Sequence, residues 1–136
     1  MAVEWTEQLA VGNETIDNQH KELFLRFNQL LEACRMRMGR ENVVEMLSYL
    51  DEYVEFHFGE EERLMTRHAY PERESHFAQH RHFVAQLNEL RQSMESRGPS
   101  LDLVVTTNQA LIHWIVVHIK NVDVRLGTFL KTQSAA

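Results

Sequence analysis

Apolar residues recur along this chain in steps of three, four or seven positions. The repeat runs through four stretches, formed by Leu23, Phe27, Leu30 and Cys34; by Val43, Leu47, Leu50 and Val54; by Phe83, Leu87, Leu90 and Met94; and by Leu101, Val104, Leu111 and Ile115. Residues at this spacing share one face of a helix, which is buried when helices pack in a bundle. Long alternating runs and Asn-Gly or Asp-Gly turns are lacking, so we expect no β-sheet.

Turn-forming residues divide these stretches into four helices. Gly39 separates the first two, Pro71 suits the first turn of the third, and Asp17 is expected to cap the first. The expected helices span approximately residues 17–38, 40–66, 71–96 and 100–121. Short linkers make neighbouring helices antiparallel. The sequence therefore predicts an all-α, up-down-up-down antiparallel four-helix bundle.

We expect this bundle to form one domain over residues 1–136. Residues 1–16 form an N-terminal arm that docks through Trp5, Leu9 and Val11, and a short C-terminal tail should fray. The Arg-Gly-Pro-Ser stretch at 97–100 forms the turn between the third and fourth helices.

Composition limits the class of protein. A net charge of −6 argues against a nucleic-acid partner, which needs a basic face. No apolar run approaches the roughly 18 residues of a membrane span. The N-terminus lacks the basic start and apolar run of a signal peptide, so we expect a cytoplasmic protein. The one cysteine, Cys34, excludes an intrachain disulfide and a cysteine-based zinc cluster.

Each helical stripe becomes polar at one end. The polar positions are His20, His57, Glu61, His76, His80 and His118. The chain runs from His20 to the turn at Gly39 and returns to His57, and a second such excursion joins His80 to His118. Each run is roughly 17–20 residues, or about 25–30 Å of helix. All six side chains should therefore meet at one end of the core.

Such a cluster needs a partner that the protein alone does not supply. A single histidine on an apolar face is usually a core residue bonded to a backbone carbonyl. Six buried polar groups are different, because each unpaired one costs roughly 1–3 kcal/mol. Imidazole and carboxylate ligands suit iron, manganese or zinc, but five imidazoles exceed one four-ligand zinc site. The sequence therefore favours a site for two metal ions.

The helix carrying His57 also contains three consecutive glutamates. Only Glu61 shares the stripe of His57, whereas Glu60 and Glu62 lie about 100° to either side and should face solvent or neighbouring charges. Gly59 costs the helix roughly 1 kcal/mol relative to alanine, and close helix packing is the expected reason.

A site for two metal ions needs one further carboxylate, which we expect the fourth helix to supply. Asp123 follows His118 by five residues, which turn an ideal helix by about 140° from its start. A loosened helix or a π-type turn there could bring the two side chains together, but the spacing alone does not select Asp123. The remaining histidines, His68, His82 and His113, fall off the stripes, and we expect surface or supporting positions for them.

Four segments of the chain resemble bacterial hemerythrins in the family's order. They are the segments at 5–24, 57–61, 70–80 and 113–123. The resemblance implies an O2-binding centre of two iron ions with an oxo or hydroxo bridge. His76, His80 and His118 would hold one iron, His20 and His57 the other, and Glu61 and Asp123 would bridge them. The implied O2 pocket comprises Leu23, Phe58, Trp114, Ile115 and Ile119.

The resemblance favours reversible O2 binding for carriage, storage or delivery, without enzymatic activity. It implies O2 as the ligand, with an O2-consuming enzyme as one candidate recipient. We expect the chain to be a monomer. The alternatives are a di-iron oxidase, peroxidase or nitric-oxide-handling enzyme, and an O2 or redox sensor that acts through a separate partner. A structural zinc site is the least favoured reading.

Overall fold

A computed structural model describes residues 3–96 and 100–134 of the protein. Its main helices are α1 (Glu14–Arg35), α2 (Arg40–Arg67), α3 (Arg73–Ser96) and α4 (Leu101–His118), followed by a π-helical turn (Ile119–Asp123) and α5 (Val124–Ser134). Helix α1 packs against α2 and α4, and α3 packs against α2 and α4, which closes the bundle. The predicted all-α bundle is confirmed, and the described residues form no strand.

The predicted apolar stripes form the core. Leu23, Phe27, Leu47, Leu87 and Val104 are fully buried along the bundle axis. Cys34 is also buried, as a small apolar residue would be. Among the described helices, none is long and apolar enough to cross a membrane.

Helix α1 begins earlier than the sequence predicts, and its cap is a different residue. The Oδ1 atom of Asn13 accepts a hydrogen bond from the Ile16 N–H at 3.0 Å. Asp17, the predicted cap, lies in the first turn instead and accepts a bond from the Val11 N–H at 2.8 Å. This carboxylate therefore ties the arm to the bundle, while Asn13, three residues before Ile16, caps the helix.

Residues of the N-terminal segment pack on the core. Leu9 and Val11 are buried, and Trp5 is partly buried with the Lys21 ammonium 4.4 Å from its ring centre. A short 3-10 helix, Glu7–Leu9, shapes this segment.

The turns between helices follow the predicted glycine and proline positions only in part. Gly39 precedes α2 with a φ of +94°, a left-handed conformation that favours glycine. Pro71 lies in the turn before α3, which begins two residues later at Arg73. The predicted turn at 97–100 lies mostly outside the described residues.

The C-terminal segment differs most from the prediction. Helix is expected to end near residue 121, yet α5 continues to Ser134. The reason is burial: Leu126 and Leu130 face the core, and the Phe129 ring lies 4.9 Å from that of Tyr70. The chain beyond residue 121 is therefore helical, and it packs on the core as far as Leu130.

Gly59 does not serve close helix packing, contrary to the sequence expectation. A β-carbon added there would meet only the Nη1 atom of Arg63, at an ordinary distance of 3.8 Å. Gly127 instead lies close to neighbouring backbone, because an added β-carbon there would collide with the carbonyl oxygen of Val11.

Candidate metal centre

Seven buried polar side chains meet at one end of the bundle. They are His20 from α1, His57 and Glu61 from α2, His76 and His80 from α3, His118 at the end of α4, and Asp123 at the end of the π-helical turn. None is more than 3% exposed. These are the six residues that the stripes predict to converge, together with Asp123.

The π-helical turn explains how Asp123 reaches the cluster. Its five residues, Ile119–Asp123, follow His118 directly. A wider helical turn accommodates an extra residue, so a side chain five positions after His118 returns to the same face. The Oδ1 atom of Asp123 consequently lies 3.0 Å from Nε2 of His118.

The cluster divides into two groups that share both carboxylates. In the first group, Oε1 of Glu61 lies 3.1 Å from Nε2 of His80, and Oδ1 of Asp123 lies 3.0 Å from Nε2 of both His76 and His118. In the second group, Oε2 of Glu61 lies 3.0 Å from Nε2 of His57, and Oδ2 of Asp123 lies 3.1 Å from Nε2 of His20.

The two groups thus have three and two histidines, and each carboxylate directs one oxygen at each group. Within each group the donor atoms, one per residue, lie within 4.8 Å of one another. The arrangement matches two adjacent sites joined by two bridging carboxylates.

The donor atoms have no other use in the fold. Although the nitrogen–oxygen distances are short, all five Nε2 atoms and all four carboxylate oxygens lack a partner in hydrogen-bond geometry. Buried polar atoms are rarely left so, because each unsatisfied one costs roughly 1–3 kcal/mol. Imidazole and carboxylate are suitable ligands for two iron ions, so the residues fit the metal that the resemblance implies.

Electrostatics keep the two carboxylates ionised. Burial alone would raise the pKa of Glu61, but the charge and contacts of His57 and His20 hold this pKa well below its usual range. Burial and the charge of Glu61 raise the pKa of Asp123. The charge and contact of His118 outweigh both effects, so the pKa of Asp123 also lies well below its usual range.

The facing histidines shift in the opposite direction. Burial lowers the pKa of His20, but its short contacts with Asp123 and Glu61 raise it to about 9. The same balance raises the pKa of His76 to about 9. Without metal, protons held by these two histidines therefore balance the charge of the ionised carboxylates, and a bound cation would replace those protons.

Three further residues orient the histidine rings from outside. Oε1 of Gln19 lies 2.7 Å from Nδ1 of His57, and Oε1 of Gln79 lies 2.8 Å from Nδ1 of His118. Each amide oxygen can accept the Nδ1–H bond, which leaves Nε2 of the ring free to bind a metal.

Glu62 is the third of these residues. It was expected to face solvent or neighbouring charges, and its contact with a candidate ligand was not predicted. Its side chain is 37% exposed, but Oε2 lies 2.8 Å from Nδ1 of His80. Glu60 does behave as expected, since it pairs with Arg63 on the surface. The roles of Gln19, Gln79 and Glu62 were not predicted from the sequence. Their one signal is that each residue adjoins a predicted ligand in the chain.

Two aromatic rings stack on candidate ligands, and three buried apolar residues lie within three positions of a candidate ligand in the chain. Leu23, Phe58, Ile115 and Ile119 are buried, and Trp114 is partly buried. The Phe58 ring stacks on His80 with centroids 3.8 Å apart, and the Trp114 ring stacks on His118 at 4.7 Å. These contacts fix both imidazoles and keep water from their faces.

The three unassigned histidines lie outside the cluster. His82 and His113 are exposed, and His68 is partly buried at the end of α2.

Comparisons with known proteins agree with this geometry. A family model described as the hemerythrin HHE cation binding domain matches residues 11–130. The chain is 32% identical over 124 residues to a bacteriohemerythrin of Pseudomonas aeruginosa (strain UCBPP-PA14), covering 88% of this chain and 75% of that protein. It is 27% identical over 120 residues to a myohemerythrin of Theromyzon tessulatum, covering 88% and 87%.

A solved structure extends the similarity to three dimensions. The crystal structure of a wild-type hemerythrin superposes with a TM-score of 0.87 at 26% sequence identity, covering 94% of this chain and 97% of that one. The family model covers most of the chain, including all seven clustered residues. This protein is therefore a member of the hemerythrin family.

Proposed function

We propose that this protein binds O2 reversibly at a centre of two iron ions, for carriage, storage or delivery. The observation that carries the proposal is the buried cluster of five histidines and two carboxylates, in which each carboxylate directs one oxygen at each group. Family membership supports the same function.

The division of the histidines suggests separate roles for the two ions. His76, His80 and His118 would hold one iron, and His20 and His57 would hold the other. Glu61 and Asp123 would bridge both. Because the second group has one histidine fewer, its iron would keep a position free for O2. Ferrous iron would supply the electrons that O2 accepts on binding.

The apolar surroundings favour reversibility. Leu23, Ile115 and Ile119 are fully buried beside the cluster, and Phe58 is nearly so. Together with Trp114 they would form the O2 pocket. A dry pocket excludes the water and protons that would release reduced oxygen and leave the iron oxidised.

The ligand composition argues for binding rather than catalysis. Enzymatic di-iron sites in related bundles are rich in glutamate, whereas this cluster has five imidazoles and two carboxylates. Neutral imidazoles stabilise highly oxidised iron less well than carboxylates do. We therefore propose no enzymatic role. A cytoplasmic location, a monomeric state and an O2-consuming recipient stay predictions.

Metal analysis tests the centre itself. After anaerobic loading with ferrous iron and removal of the excess, we expect about two irons per chain. A value near one or zero would contradict the proposed di-iron centre. Rapid, continuous O2 consumption by the loaded protein with a reductant would instead support an oxidase.

A further inference from the structure

Three of the clustered histidines have a hydrogen-bond partner outside the cluster, and these partners differ in charge. His57 and His118 face the neutral amides of Gln19 and Gln79. His80 faces the carboxylate of Glu62 at 2.8 Å. Glu62 belongs to α2 and His80 to α3, so this contact also joins two helices across the bundle.

The contact lies where solvent reaches it. Glu62 and His80 line a groove of about 410 Å³ between α2 and α3, whose floor includes Phe58. Gly59 lines the same groove, and its missing side chain leaves the space beside Glu62 open. His80 is 2% exposed and Glu62 is 37% exposed. Glu62 thus connects a buried ligand position to the surface.

A carboxylate affects a metal-binding imidazole differently from an amide. Both can accept the Nδ1–H bond and hold the ring in place, but the negative charge makes Nε2 the stronger electron donor. A stronger donor stabilises the more highly charged state of the metal. The effect falls on the three-histidine group, because His80 belongs to it.

We propose that Glu62 is a positioning residue for the metal centre, which orients His80 and lowers the reduction potential of the iron in the three-histidine group. The inference rests on the proposed di-iron function. The carboxylate of Glu62, which is 37% exposed, would thus adjust how readily the centre gives electrons to O2.

Glu60 provides a matched control on the same helix. It carries the same charge two positions away, but it pairs with Arg63 and not with a histidine. Glu62→Gln removes the charge and keeps an oxygen that can accept from His80. Glu60→Gln removes one charge of the same sign without touching the cluster.

The midpoint potential of the iron-loaded protein tests the proposal. We expect Glu62→Gln to raise the potential and to slow oxidation in air, while Glu60→Gln leaves both as in the unsubstituted protein. Glu62→Ala, which also removes the hydrogen bond, should weaken iron binding by roughly 10- to 100-fold. Equal midpoint potentials for the Glu62→Gln and Glu60→Gln variants would overturn the proposal.

Two controls separate the possible causes of failure. The thermal unfolding transition of each metal-free variant establishes that the variant is folded. If Glu62→Gln does not fold, Glu62→Asp, which withdraws the charge from His80, should raise the potential instead. If the unsubstituted chain fails to bind two irons, the proposed function fails. If it binds two irons and Glu62→Gln behaves like Glu60→Gln, only the role of Glu62 fails.

Discussion

Histidine serves two different purposes in this chain. Five rings are buried with Nε2 directed into one cluster, whereas His82 and His113 are exposed. The difference follows from helical position alone, because His82 lies two residues after His80 and points away from the stripe. Burial and direction, rather than residue type, therefore distinguish the candidate ligands.

Substitution of one histidine from each class should separate them. We expect His118→Ala to lose at least one iron per chain and to lower the unfolding temperature, because it removes a candidate ligand and the ring that stacks on Trp114. His82→Ala should change neither. Iron content and thermal unfolding measure the two effects, and equal effects would show that the stripe assignment is wrong.

The pKa shifts predict how stability depends on pH in the metal-free protein. His20 and His76 have folded pKa values of about 9, above the ordinary 6.5, so the stability they contribute is present below 6.5 and is lost as pH rises through 9. Glu61 and Asp123 have lowered pKa values, so their contribution is lost only in acid.

Urea unfolding of the metal-free chain at several pH values measures this dependence. We expect the free energy of unfolding to be highest between about pH 5 and 6.5 and to fall toward pH 9.5. A protein that becomes more stable between pH 6.5 and 9 would contradict the charge balance described for the cluster.

Single positions show what the sequence could predict about the site. The stripe selects Glu61 over Glu60 and Glu62, because only Glu61 shares a face with His57. It does not reveal that Glu62 contacts His80, since that contact depends on how α2 is rotated against α3. The contacts of Gln19 and Gln79 were not predicted for the same reason, because their partners lie on other helices.

At the level of elements, the π-helical turn is the least predictable feature that the site requires. Regular helix geometry places Asp123 off the face of His118. The five π-helical residues return the Asp123 side chain to that face. The sequence indicates that such a turn would be needed but not that it forms. Its formation depends on packing on both sides, with Ile115 and Ile119 buried before Asp123 and Leu126 after it.

Two glycines in helices should respond oppositely to alanine. Gly59→Ala should stabilise the protein by about 1 kcal/mol, because the added β-carbon enters the open groove and alanine favours helix. Gly127→Ala should destabilise it by about 1–3 kcal/mol, because the β-carbon collides with the Val11 carbonyl.

Urea unfolding at fixed pH measures both changes. Destabilisation by Gly59→Ala would mean that this glycine is needed for packing after all. A neutral Gly127→Ala would mean that the arm can move away from α5 without cost.

At the scale of the whole molecule, the periodicity of the sequence was sufficient for the architecture. Four stripes and short turns predict the bundle, and antiparallel order predicts that six polar residues meet at one end. The packed α5 was not predicted, because Leu126 and Leu130 rejoin the core only after the π-helical turn shifts the helix by a fraction of a turn. Local pattern thus specifies the bundle, while tertiary packing specifies its C-terminal end.

Reversible O2 binding is the central claim, and an absorption spectrum recorded through repeated oxygen cycles tests it most directly. The iron-loaded, reduced protein is exposed to air and then returned to anaerobic conditions. We expect a new spectrum on exposure that reverts to the reduced one over several cycles. A spectrum that stays oxidised after O2 is removed from the first exposure would contradict the claim.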